Sequence, residues 1–182
     1  MSFKLRHVIC NEIYQGWDFA ESCRSMRKFG YEGIEIAPFT LSEDPASISA
    51  DARREYGKII REEGLVFAGL HWLMVAPKGL HVTTPDKALR ERSWRHIHDL
   101  VSLCADLGPR GVMVFGSPAQ RATTGGLSAK EATKHYRDLL AWVAPYAEQR
   151  DVCILVEALP KDQCDVVETL EAFQFKVGPK SF

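Results

Sequence analysis

Six polar side chains stand inside or just after short apolar runs, where a strand could present them: Glu12, Glu35, His71, Ser117, Arg121 and Glu157. Glu12 follows the run His7–Cys10, and Glu35 sits in the middle of GIEIAPF (Gly33–Phe39). His71 stands beside Trp72 in GLHW, Ser117 and Arg121 lie in the loop after VMVF, and Glu157 closes ILVE. Carboxylates and an imidazole so placed suit two chemistries. They can hold a divalent ion, where oxygen ligands favour magnesium or manganese and an added imidazole admits zinc or cobalt. They can also move a proton next to a carbonyl. The spacing alone selects a class of site and leaves the reaction open.

Each residue also has a plainer reading. An unpaired buried carboxylate at the end of an apolar strand is costly, so Glu157 is a ligand or proton carrier, or else a salt-bridged or solvated end. His71, among Leu70, Trp72 and Leu73, is a site residue or a hydrogen-bonded core histidine. Arg121 can grip a phosphate or hydroxyl through its planar fork of donors, or be a loop charge. Trp72 is a candidate to stack on a sugar face; Trp17, Trp94 and Trp142 read as packing residues. His81, His96, His98 and His135 read as surface groups. Nucleotide and hydrolase signatures are missing: G-x-G-x-x-G, G-x-x-x-x-G-K-[ST] and G-x-S-x-G occur nowhere.

The elements that must carry these residues alternate regularly. Strand-like runs at His7–Cys10, Gly33–Phe39, Leu65–Met74, Gly111–Phe115 and Val152–Val156 are separated by segments of helical periodicity. The helices are expected over Asp18–Phe29, from Ser49 to Gly64, from about Pro85 to Leu107, and from the S-x-x-E capping pattern Ser128/Glu131 onward. A last helix is expected from near Asp165, with Val166, Val167, Leu170 and Phe173 apolar. Strands joined through helices of this length cannot form hairpins, so an α/β fold with a parallel sheet and right-handed crossovers is predicted. It is either a doubly wound open sheet or part of a β/α barrel. Five β/α units fall three short of an eight-unit barrel, which takes about 250 residues.

The totals narrow the partners. A net charge of −1 over 182 residues gives no positive field for nucleic acid. No apolar run reaches the roughly 20 residues of a membrane helix, and the N-terminal run is too short for a signal peptide. The five cysteines include no C-x-x-C pair, and Cys10, Cys23, Cys104 and Cys153 read as reduced core thiols. A cytoplasmic location is the default expectation.

The set "strand–NE", GYEGIEIAPF, GLHW, VMVFGSP followed by an arginine, and ILVEALP resembles the sugar phosphate isomerase/epimerase family of the xylose-isomerase-like TIM barrel superfamily. The resemblance spans about residues 5–173. It implies a (β/α) TIM-barrel type fold with about five of the eight units present. It also implies metal-assisted proton transfer on a hydroxy-carbonyl sugar or sugar phosphate through an enediolate. Glu157 matches the family's first metal-ligating glutamate, which also carries the proton; His71 matches a strand-three histidine near substrate or metal. Glu12, Trp72, Ser117 and Arg121 are expected to face the substrate. The metal, by resemblance, is Mn, Mg, Co or Zn, and the family's remaining ligands come from the sixth to eighth strands. We therefore expect weak or no metal binding by a single copy.

The expected organisation is a partial barrel over 1–173 and an irregular tail over 174–182, with the reading frame truncated near residue 173. Three outcomes are open on the sequence. The chain is an isomerase or epimerase completed by a homo-oligomer through the open barrel edge, a non-catalytic fragment exposing that edge, or an endonuclease IV-like metal-dependent nuclease. The near-neutral charge and VFGSP argue against the last.

Overall fold

The computed structural model describes residues 5–169. Five parallel strands form one sheet in the order β1-β2-β3-β4-β5: β1 (Val8–Cys10), β2 (Gly33–Ile36), β3 (Val66–Leu70), β4 (Val112–Phe115) and β5 (Cys153–Val156). Between them run α1 (Phe19–Lys28), α2 (Ala50–Glu62), α3 (Lys87–Leu107), the short α4 (Pro118–Arg121) and α5 (Ala129–Gln149). Strand order equal to chain order is barrel-type winding; a doubly wound sheet reverses direction part-way. Among the described residues no helix is long and apolar enough to cross a membrane.

Helix starts follow side-chain caps. Asp18, Ser49 and Asp86 accept from the amides of Glu21, Ala52 and Leu89, satisfying donors that the first turn leaves free. The Ser128/Glu131 pattern forms a reciprocal capping box at α5, as the sequence predicts. Asp86, rather than Pro85, sets the start of α3. The strands are shorter than their apolar runs; Pro38–Thr40 turns as a 3₁₀ helix directly after β2. Over 165–169 the chain is irregular, so the predicted helix does not begin at Asp165. Leu170, Phe173 and the tail 174–182 lie outside the described residues.

The sheet has two unlike faces. Ile34, Ile36, Phe67, Leu70, Met113 and Phe115 point into the helix layer and are buried against Met26, Ile60, Ile97, Leu100, Leu139 and their neighbours. Each such side chain contributes ~1.5–3 kcal/mol by leaving water. On the opposite, concave face Val8, Val66 and Leu155 are 46%, 58% and 52% exposed. Cys153 lies on that face too and is exposed, which corrects its reading as a core thiol. Cys23 and Cys104 are buried, and burial pushes their thiols up to about 12.

One extra residue in β3 decides which face its end presents. Ile34 pairs with Phe67 while the next residue, Glu35, pairs with Gly69, so Ala68 is left over as a bulge. Residues in register share a face. Gly69 therefore joins Glu35 on the concave side, Leu70 joins Ile36 in the helix layer, and His71 turns to the concave side. Gly69 itself admits no side chain, because a Cβ there would run into the carbonyl of Val112 on β4.

Three helices are also tied by charge. Asp106 on α3 accepts from Arg53 Nε of α2 at 2.7 Å and from Arg150 Nη2, just after α5, at 2.8 Å. Its side chain and that of Arg53 are both 16% exposed. Removing the carboxylate leaves two cations without their shared partner. Asp106→Ala is expected to lower unfolding free energy by about 2–3 kcal/mol in urea denaturation, somewhat under the ~3–5 kcal/mol of a fully buried pair because Arg150 is partly solvated.

Candidate functional site

The carboxyl ends of β3, β4 and β5 meet around a cavity of about 170 Å³ lined by His71, Trp72, Val114, Gly116, Ser117, Pro118, Glu157, Leu159 and Gln163. Of the six residues that the family resemblance assigns to the site (Glu12, His71, Trp72, Ser117, Arg121 and Glu157), four are thus brought together: His71, Trp72, Ser117 and Glu157. Gln163 carries no signal in the sequence; it arrives on a turn whose amides return to the carbonyl of Pro160.

Glu157 leaves β5 on the concave side with its carboxylate over Gly116. A Cβ at Gly116 would occupy the place of that carboxylate, so the glycine makes the room in which Glu157 lies. His71 is held from the other side, its Nδ1 3.3 Å from Oε2 of Glu35. This contact depends on the bulge at Ala68. The His71 ring stacks on Trp72, with centroids 5.3 Å apart and planes at 30°.

Two of the cavity's residues have left-handed backbones. Trp72 has φ 56° and Ser117 φ 43°, where a Cβ crowds the following carbonyl and costs ~1–2 kcal/mol. Bulky residues rarely persist in this region unless surrounding structure imposes it. At Ser117 the chain makes the turn from β4 into α4.

The two remaining residues are placed elsewhere. Glu12 is half-buried in the 3₁₀ turn Asn11–Tyr14 after β1, outside this cavity. Arg121 is fully buried, which corrects its reading as a residue of the mouth or a loop charge. Its Nη1 donates to the carbonyl of Phe115 at 3.1 Å, Nε to Cys164 Sγ at 3.5 Å, and the guanidinium lies 5.6 Å from the Tyr136 ring centre. Its donors thus brace β4 against the segment that follows β5. His96, read as a surface group, is buried and donates from Nε2 to the Leu73 carbonyl at 3.0 Å. Burial lowers its pKa and so favours the neutral ring.

The wall of the site is pinned by polar contacts. Asp165 accepts from the amide of Thr123 at 2.9 Å and also from its hydroxyl. Thr83 donates to the carbonyls of Arg121 and Ala122. Burial pushes the Asp165 carboxyl up, but the Thr123 bonds outweigh it and the net shift is downward.

A divalent ion does not find a full set of ligands here. Among the described residues no three of His, Cys, Asp and Glu converge. The cavity offers one carboxylate, Glu157, and one imidazole, His71, whose Nδ1 is taken by Glu35. Several protein ligands hold such ions elsewhere.

A sheet wound in chain order, with its polar groups at the carboxyl strand ends, defines the β/α-barrel class. The chain belongs to the xylose isomerase-like TIM barrel family, whose model matches residues 23–178. The match runs past residue 173, where the sequence resemblance was expected to end. Solved structures agree on the fold. A D-psicose 3-epimerase in the presence of D-fructose superimposes with a TM-score of 0.71 at 15% identity, covering 92% of this chain and 57% of that one. The 3-keto-D-glucoside 4-epimerase YcjR from E. coli gives 0.69 at 18%, covering 93% and 62%. An IolI protein with a bound zinc atom gives 0.61 at 16%, covering 89% and 54%. The chain thus spans less than two thirds of the length of these relatives. No curated protein matches it.

Two measurements follow from this geometry. Ser117→Gly is expected to raise unfolding free energy by about 1 kcal/mol in urea, since glycine adopts the left-handed turn without strain. The Asp165 tie has a folded pKa below its unfolded value, so its contribution is present above the ordinary aspartate range and lost as pH falls through the depressed value. The Thr123 amide resonance, followed on acidification, is expected to move with a midpoint below the ordinary aspartate value of about 3.9.

Proposed function

We propose that this chain carries the sugar-binding and proton-transfer face of an isomerase or epimerase acting on a hydroxy-carbonyl sugar or sugar phosphate. The observation that carries the reading is the convergence of Glu157, His71, Trp72 and Ser117 on one cavity at the carboxyl strand ends. This is where barrels of this type do chemistry. Family membership and two epimerases among the structural relatives support it.

In this reading Glu157 removes a proton from the carbon next to the carbonyl and returns it. Trp72 offers its ring to the apolar face of the sugar, and Ser117 offers a hydroxyl. His71 meets the polar edge of the same substrate. Glu12, in the 3₁₀ turn that follows β1, is assigned to a more distant part of the substrate. The cavity supplies at most two ligands for a metal, Glu157 and His71 Nε2, so no step is assigned to Mn, Mg, Co or Zn. A single carboxylate also favours a second reading, in which the cavity binds a sugar without turning it over.

Incubation with ketoses and ketose phosphates in D₂O, followed by proton NMR, tests both. Deuterium is expected at the carbon beside the carbonyl, and Glu157→Gln is expected to slow its uptake by about 10²–10⁴-fold. Binding without exchange would select the second reading. The absence of both would overturn the sugar assignment.

A further inference from the structure

Among the described residues, Glu35 is the strand carboxylate that the cavity lining does not use, yet its placement is built. It faces the concave side in register with Gly69, and the bulge at Ala68 turns His71 to meet it. Its Oε2 lies 3.3 Å from His71 Nδ1, with the two side chains 25% and 37% exposed. A carboxylate can only accept in such a contact, so the proton between them belongs to Nδ1. A neutral imidazole protonated on Nδ1 carries its lone pair on Nε2. His71 lines the cavity, and no described residue bonds Nε2.

We propose that Glu35 is a positioning residue that fixes His71 in the Nδ1–H form and leaves Nε2 as a hydrogen-bond acceptor at the cavity. The ligand group suited to that end of the site is a hydroxyl donor, as on a neutral sugar; an oxyanion, which only accepts, is not. Trp72, stacked on the same imidazole, limits rotation of the ring away from this pose. The hydroxyl belongs to a sugar only if the function proposed above holds, whereas the tautomer follows from the Glu35 contact alone.

Long-range ¹H–¹⁵N NMR of the full chain with labelled histidine, at about pH 8 and so above the ordinary imidazole range, reads the tautomer directly. His71 is assigned by the loss of its signals in His71→Gln. Its Nδ1 is expected at a pyrrole-type shift and its Nε2 at a pyridine-type shift. Glu35→Ala is expected to move both toward the averaged values of free histidine. Glu35→Gln, whose amide oxygen still accepts, is expected to retain the pattern. A pyrrole-type Nε2 in the unaltered chain overturns the proposal, and so does a pattern that Glu35→Ala leaves unchanged in a folded protein. The unaltered chain decides the tautomer even where a variant fails to fold. D-fructose added to the same sample is expected to shift Nε2, and sulfate, which carries no hydroxyl and only accepts, is not. A response to sulfate alone overturns the hydroxyl assignment, while no response to the sugar overturns the sugar reading and leaves the tautomer standing.

Discussion

Everything at the working end of this sheet depends on the phase of its strands. A parallel strand between helices and a concave face must give alternate residues to each, and the helix layer accepts only apolar ones. Ile34, Ile36, Phe67, Leu70, Met113 and Phe115 satisfy that demand. In β3 strict alternation from Phe67 would send His71 into the helix layer. The bulge at Ala68 shifts the count by one, keeps Leu70 in the core and delivers the imidazole to Glu35. Packing and chemistry therefore set the same register, and neither can be changed without the other.

The cavity shows what holding such groups demands of the backbone. Trp72 and Ser117 take conformations that side chains disfavour, and Gly116 gives up a side chain so that Glu157 can lie across it. These sites resist relaxation because their flanks are fixed. Leu73 and Met74 are buried beyond Trp72, and Arg121 braces Phe115 next to the Ser117 turn. The unfavourable local terms are small against the apolar layer that holds them.

How far the sequence is legible follows from how local each signal is. The order of strands and helices, four helix starts and the strand-end positions of Glu157 and His71 are written in short-range periodicity and caps. The bulge is not: Val66-Phe67-Ala68-Gly69-Leu70 reads as a continuous strand, and only the partner's pairing shows that Ala68 is extra. The enclosure of Arg121 depends on Cys164, 43 residues away, while its sequence neighbours are polar or small. Asp165 looks like a helix cap, but its carboxylate is taken by Thr123. His96 could have been found, since it lies one turn before the buried Leu100 on an amphipathic helix. Cys153 shares an apolar run with core residues, yet the strand's alternation puts it on the open face.

The charge tie among the helices has a thermal meaning. Hydration of ions becomes less favourable as temperature rises, so bringing Asp106, Arg53 and Arg150 out of water costs less on warming, while the gain per apolar area levels off. The clamp across α2, α3 and the end of α5 thus carries a growing share of the layer's cohesion at the temperatures where the domain approaches melting.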